Sequence, residues 1–190
     1  MKAKWLCLVW LAALAGQRVE AGESQLVREA VTIPERGTVT GYALWLDETK
    51  FSFIPPPNWS VKYDPAKRTA TFLSPGLEAG ITLKFAFEKA ESSPERNPDT
   101  LREQLRARYP DARITGQFKC FAAGKEGLAF DFERKLDKQV RAAFRLAFIA
   151  FTDGAIECEM KTSSANRAGY HQAFGNLLNS FRIEQRRRDG

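Results

Sequence analysis

The chain has 190 residues, of which 44% are hydrophobic and 12% aromatic, a composition too apolar for a disordered protein and sufficient for one buried core. Its 29 basic and 23 acidic residues give a formal charge of +6, and its single histidine leaves little material for hydrolytic triads or histidine-based metal sites.

The first residues, Met-Lys-Ala-Lys-Trp, place a basic stretch before the apolar run Leu6 to Ala15. That layout predicts a secretory signal peptide within residues 1–21, cleaved after Ala15 or after Ala21, each of which completes a small-x-small tripeptide. The run is about half the roughly 20 apolar residues a membrane-spanning helix requires, so no transmembrane anchor is expected. Cys7 lies inside the run rather than after small residues at its end, unlike a lipid-acceptor cysteine. Loss of Lys2 and Lys4 leaves 27 basic against 23 acidic residues, a charge of +4. The expected location is therefore the periplasm or the exterior, where nucleic acid is not an expected partner.

Residues 22–34 read as a loose leader with a short helical or extended piece around Gln25 to Val31. The domain itself is placed at 35–184, and 185–190, with Arg186, Arg187 and Arg188, as a basic tail. Gly37 to Leu46 and Phe51 to Ile54 read as strands around a polar turn. Pro55-Pro56-Pro57 forms a corner, because proline donates no N–H to a sheet. Ser60 to Tyr63, Thr69 to Leu73 and Ile81 to Phe87 follow as strands, the last alternating Ile81, Leu83, Phe85 and Phe87 on one face.

Glu88 to Pro98 reads as a loop. A surface helix then starts at Asp99 or Thr100 with the capping box Thr100-x-x-Glu103 and ends at Pro110. Four strands are predicted next, Arg113 to Phe121, Gly127 to Leu136, Val140 to Thr152 and Ala155 to Lys161, turning at Ala123-Gly124, Asp137-Lys138 and Asp153-Gly154 as an antiparallel meander. In the second, Leu128, Phe130, Phe132 and Leu136 form the buried row. The third contains Leu146 to Phe151 without a polar break, as expected of a central strand covered on both faces. A closing helix capped by Ser163 or Ser164 carries Tyr170, Phe174, Leu177, Leu178 and Phe181 along one stripe. The fold class is α+β, an antiparallel sheet flanked by helices.

Strand order in a meander places Cys120 and Cys158 three strands apart, about 14 Å, whereas a disulfide needs Cα atoms within about 7 Å. They are expected to remain separate core cysteines. No Gly-x-Ser-x-Gly, Cys-x-x-Cys, His-x-x-x-His or P-loop pattern is present, and no catalytic, cofactor-binding or metal-binding residue is assigned. His171 reads as an exposed residue on a helix face. Glu157 and Glu159 share one sheet face by the two-residue period and read as surface polarity. Trp45 and Trp59 border the proline corner and are the two candidates for framing a groove.

Phe51-Ser52-Phe53-Ile54-Pro55-Pro56-Pro57-Asn58-Trp59 resembles the aromatic-proline-tryptophan opening of the PsbP/DcrB-like superfamily, which also contains a eukaryotic Ran-binding nuclear protein. The closing Asn179-Ser180-Phe181-Arg182-Ile183 is similar too, and the likeness spans about Gly37 to Glu184, with Pro57 departing from the small residue usual before the tryptophan. The resemblance implies an α/β/α sandwich used for binding and assembly rather than catalysis. The expected function is thus an exported, non-enzymatic binding or assembly module of the bacterial cell envelope, whose partner is an envelope protein or component. The alternative is a carrier of a small apolar ligand in an aromatic-lined pocket. An enzyme built on Asp131, Glu133, Glu157 and Glu159 would need those carboxylates to converge.

Overall fold

In the computed structural model, residues 24–34, 37–87, 97–136, 140–152 and 154–185 are described. The predicted signal peptide, the tail from residue 186 and the turn residues Asp137, Lys138 and Asp153 lie outside them. Eleven strands occur among these residues: β1 (Gln25–Ile33), β2 (Gly37–Leu46), β3 (Thr49–Phe53), β4 (Ser60–Asp64), β5 (Thr69–Leu73), β6 (Ala79–Phe87), β7 (Arg113–Ala122), β8 (Lys125–Lys135), β9 (Arg141–Phe151), β10 (Gly154–Ser163) and β11 (Arg182–Gln185). Two helices accompany them, α1 (Pro98–Arg108) and α2 (Arg167–Ser180).

The strands form two antiparallel sheets rather than the single expected one, a four-stranded sheet ordered β1-β2-β3-β11 and a seven-stranded sheet ordered β4-β5-β6-β10-β9-β8-β7. The division falls at the proline corner, where Trp59 N–H donates to the Pro56 carbonyl at 3.2 Å and Asn58 takes φ 65. A chain that turns there leaves one sheet and enters the other. The two sheets meet through aromatic rings. Phe53 of β3 lies 5.5 Å from Phe72 and 5.3 Å from Phe181, and Phe51 lies 4.8 Å from Phe85 and 5.3 Å from Phe151. The phenylalanine-rich composition is therefore spent on packing, at roughly 1.5–3 kcal/mol per buried ring.

The leader expected at 22–34 is, from Gln25 to Ile33, a strand paired with β2 along its length. Its residues are all half-buried or exposed. An edge strand that is never fully buried shows no strong alternating apolar row, so the sequence left the piece around Gln25 to Val31 open between helical and extended, and the structure makes it extended. Strand β11 is missed for the same reason.

Parity along each strand divides the seven-stranded sheet into two faces. On one, Leu101 and Leu105 of α1 pack on Phe130, Phe132, Phe144 and Leu146. On the other, α2 and the four-stranded sheet cover Ile81, Leu83, Ala129, Ala147, Ile149, Ile156, Cys158 and Met160. Strand β9 is interior and contributes to both cores, as its unbroken apolar run predicts. The helices thus lie on opposite faces, but each covers only part of its face, and the small sheet supplies much of the second layer.

Helix α1 starts earlier than the capping box suggests. Asn97 is its cap, its side chain accepting from Asp99 N–H at 2.8 Å, with Pro98 in the first turn. Proline there loses no hydrogen bond and fits the helical φ, which outweighs the Thr100 signal. The closing helix likewise begins at Arg167, after a 3-10 turn at Ser164–Asn166. Cys120 and Cys158 lie on β7 and β10, three strands apart, and are both buried free thiols.

Candidate functional site

The residues with the strongest chemical potential are drawn into two ion networks on opposite faces of the large sheet. On the α2 face, Asp131 is 6% exposed and accepts two hydrogen bonds from Arg145, Nε to Oδ1 at 2.7 Å and Nη2 to Oδ2 at 2.9 Å. Arg167, at the first position of α2, donates a third through Nη2 to Oδ2 at 2.8 Å. Burial raises the Asp131 pKa, but the hydrogen bonds and charges of Arg145 and Arg167 outweigh it and hold the carboxyl below its ordinary 3.8. The Arg145 guanidinium also lies 4.4 Å from the Phe118 ring centroid.

His171 is part of this network and not a free surface residue. Its Nδ1 lies 3.1 Å from Arg145 Nη2 and its Nε2 3.3 Å from Arg167 Nε. Burial, and then the charge of Arg145, lower its pKa from 6.5. A neutral ring accepts on one nitrogen, whereas a protonated ring would aim two donors at guanidinium donors. The spacing Arg167 to His171, i to i+4, is the signal that could have paired them in advance.

On the α1 face, Arg108 donates to Glu157 at 2.5 Å and to Glu159 at 3.2 Å, and the Tyr109 hydroxyl donates to Glu159 at 2.5 Å. Lys84 adds a 3.6 Å contact to Glu157. Burial, then the bond to Glu159, raise the Tyr109 pKa well above its usual 10. Glu157 and Glu159 do project together, as their spacing predicts, but α1 anchors on them. Asp131 and Glu133 face α2, so the four carboxylates do not converge. Among the described residues, no group of three or more His, Cys, Asp and Glu is placed to hold a metal ion.

Trp45 and Trp59 are not brought together. Trp45 is 38% exposed and, being odd-numbered between Leu44 and Leu46, points away from the core they face. Trp59 packs against the core and makes an edge contact with Tyr170 of α2, 5.9 Å between centroids.

What the sequence reading missed is a cleft on the α1 face, past the end of that helix. Its volume is about 420 Å³ and its floor is built from β5, β6, β10 and β9, including Thr71, Gly80, Thr82, Lys161 and Ala142. Leu77, Leu136 and Val140 stand at its walls, exposed by 73%, 46% and 52%. Six large hydrophobic residues are exposed among the described residues, and these three gather in one hollow. Scattered exposed hydrophobics need no explanation, but a concave cluster of them does.

Each wall has a local cause. Leu136 and Val140 extend the even-numbered rows of β8 and β9 whose other apolar members pack with Leu101 and Leu105. Leu136 was expected to be buried with that row, but α1 does not reach it. The third wall rests on an unfavourable backbone. Gly76 and Leu77 take φ 81 and φ 61, a region costing a leucine roughly 1–2 kcal/mol.

The turn is held in place by Ala79 N–H donating to Ser74 Oγ at 2.9 Å and Leu77 N–H to the Ser74 carbonyl at 3.0 Å. The neighbouring Glu78 carboxylate accepts from Tyr170 and Asn166, both at 3.0 Å. Gly80 keeps the floor low, since a Cβ there would meet Leu73 Cδ2 at 3.4 Å and point into the hollow.

A larger hollow of about 510 Å³ lies on the small sheet, lined by Glu29, Lys50, Asn176, Asn179, Arg182 and Glu184 among others. Its Glu29 and Lys50 satisfy each other at 3.2 Å, and none of the six exposed hydrophobics lines it. The smaller cleft is the better candidate despite its volume.

No family model matches the chain, and no curated protein matches it. Among solved structures it is similar to cyanobacterial PsbP from Synechocystis sp. PCC 6803, at 10% identity and a TM-score of 0.48, over 90% of this chain and 99% of that one. It is also similar to LpqN, involved in cell envelope biogenesis of Mycobacterium tuberculosis, at 8% identity and a TM-score of 0.44, over 83% of this chain and 91% of that one. A structure from Bacteroides thetaiotaomicron VPI-5482 is similar over 74% of this chain at 13% identity and a TM-score of 0.48. The aligned part is 46% of that protein, so this chain spans about half its length. These are likenesses of fold alone.

Proposed function

We propose that this protein is an exported, non-enzymatic binding or assembly module of the bacterial cell envelope that engages its partner through the cleft walled by Leu77, Leu136 and Val140. One observation carries the reading. A strained turn, fixed by its own hydrogen bonds, holds Leu77 in water at the mouth of a hollow where two other aliphatic side chains are also exposed. Backbone strain and apolar exposure both oppose stability, and a bound partner relieves the second. The groups capable of acid–base chemistry are meanwhile committed to holding α1 and α2 on the sheet, which favours binding over catalysis. The signal peptide expected at residues 1–21 supports the envelope location.

The test is affinity capture from envelope extract with the wild-type chain and with Gly80→Leu, which fills the floor of the cleft. The reading expects a component recovered by the first and lost with the second, and a mature N-terminus at Gly16 or Gly22 by intact mass. Equal recovery by both chains, or retention of residues 1–15 on protein from the envelope fraction, would overturn it.

The alternative, a carrier of a small apolar ligand, is favoured by the size of the cleft, which falls in the range of small-molecule pockets. Its lining is aliphatic rather than aromatic, since the aromatic residues expected to form such a pocket fill the core instead.

A further inference from the structure

The cleft has a chemical asymmetry that narrows what it binds. Its walls are aliphatic, and its floor carries charge at one side, where Glu159 and Lys161 of β10 project on the same face. Glu159 is already satisfied by Arg108 and Tyr109, and Glu78, at the rim, accepts from Tyr170 and Asn166. Lys161 differs, because it makes no ion pair among the described residues. Its cross-strand neighbours are Gly80 on β6 and Phe144 on β9, so the β6 side offers it no side chain at all. An ammonium with no carboxylate partner therefore stands beside an apolar hollow of about 420 Å³.

From this arrangement we infer that the cleft binds a monoanionic aliphatic amphiphile, a fatty-acid carboxylate, with its chain against Leu77, Leu136 and Val140 and its head group on Lys161. This rests on the reading of the cleft as a binding site and adds the ligand's class. A small ligand is favoured over a protein surface because the site is concave, walled by the Leu77 turn on one side and by the β8–β9 hairpin end on the other, whereas protein interfaces are broad and nearer to flat. A carboxylate is favoured over a neutral chain because it would give Lys161 the counter-charge it lacks, and over a cationic amphiphile because that would meet like charge.

The experiment is calorimetric titration of the purified chain with dodecanoate, dodecan-1-ol and dodecyltrimethylammonium, each below its micellar concentration. Dodecanoate should bind with one site per chain and exceed the other two in affinity. Lys161→Gln should weaken dodecanoate about fivefold and leave dodecan-1-ol unchanged, the effect of removing one partly exposed charge pair. Leu77→Asn, at an exposed position whose backbone suits asparagine, should weaken all chain binding without loss of folding.

Equal affinity for the anionic and cationic amphiphiles, or no response to Lys161→Gln, overturns the inference. So does the absence of amphiphile binding while Gly80→Leu still abolishes capture of an envelope component, an outcome that leaves the cleft as a binding site for a macromolecule. Capture and amphiphile binding that both ignore Gly80→Leu overturn the binding-site reading itself.

Discussion

Leu136 and Val140 face each other across the end of the β8–β9 ladder, Leu136 N–H donating to the Val140 carbonyl at 2.9 Å, and both stay exposed on the face where their row-mates are buried under α1. The row is apolar throughout, but the helix ends too soon to cover it. That mismatch between a strand pair and a helix creates two walls of the cleft.

The third wall, Leu77, should show a trade between stability and binding. Replacing it with glycine or asparagine removes the left-handed strain at φ 61 and is expected to stabilise the fold by about 1 kcal/mol, raising the melting temperature by about 2–4 °C. Thermal unfolding followed by circular dichroism checks this, and an unchanged or lowered midpoint would show that the turn stores no strain.

Asp131 should govern the acid limb of stability. Its folded-state pKa lies below its ordinary value, so its contribution is complete above about pH 4 and is lost as pH falls through the lowered value. His171, also lowered, adds to the same limb at higher pH. The unfolded chain takes up that proton near pH 6.5 and the folded chain only below it, so stability declines as pH drops from 6.5. Asp131→Asn strands Arg145 against apolar surroundings and should cost about 3–5 kcal/mol at pH 7. His171→Gln should flatten the pH 5–7 part of the profile, measured by urea unfolding.

Tyr109→Phe tests the anchoring of α1. The variant keeps the ring contact with Phe132, 5.2 Å between centroids, and deletes only the hydroxyl bond to Glu159. The expected loss is about 1 kcal/mol, with hydrogen exchange accelerated in α1 and not in α2. Acceleration spread evenly over both helices would contradict a local anchor.

Cys120 and Cys158 should stay reduced even in an oxidising compartment. Burial pushes the Cys120 thiol up to about 11 and the Cys158 thiol well above its usual value, so neither offers thiolate for exchange. Iodoacetamide at pH 8 should label the two positions slowly in the native chain and rapidly in denaturant. A non-reduced mass 2 Da below the dithiol form would contradict the strand order.

Much of the fold is legible in the residues. The alternation of Ile81, Leu83 and Phe85, the unbroken run through Leu146–Phe151 and the stripe ending at Phe181 each fix an element and the face it buries. The least legible strands, β1, left open between helical and extended, and β11, are edge strands, half-wet on both sides, and carry no strong periodic signal. The separation into two sheets also escapes, because pairing partners depend on where the chain goes after Pro55-Pro56-Pro57 and not on the strands' own patterns.

The functional groups divide along the same line. That Glu157 and Glu159 share a face follows from strand parity, whereas their capture by Arg108 and Tyr109 needs the packing of α1. Leu136 reads as a core residue from its row, and its exposure follows only from the length of a helix formed elsewhere in the chain. Trp45 and Trp59 stand out because tryptophan is rare and the corner is near, yet parity turns the first outward and the corner turns the second inward.

The most direct test of the cleft is site-specific photo-cross-linking in the native host, with a photoreactive phenylalanine analogue at position 77, 136 or 45. Adducts to one envelope component from positions 77 and 136, and none from position 45, are the predicted result. Adducts from position 45 alone, or from none of the three, would contradict it.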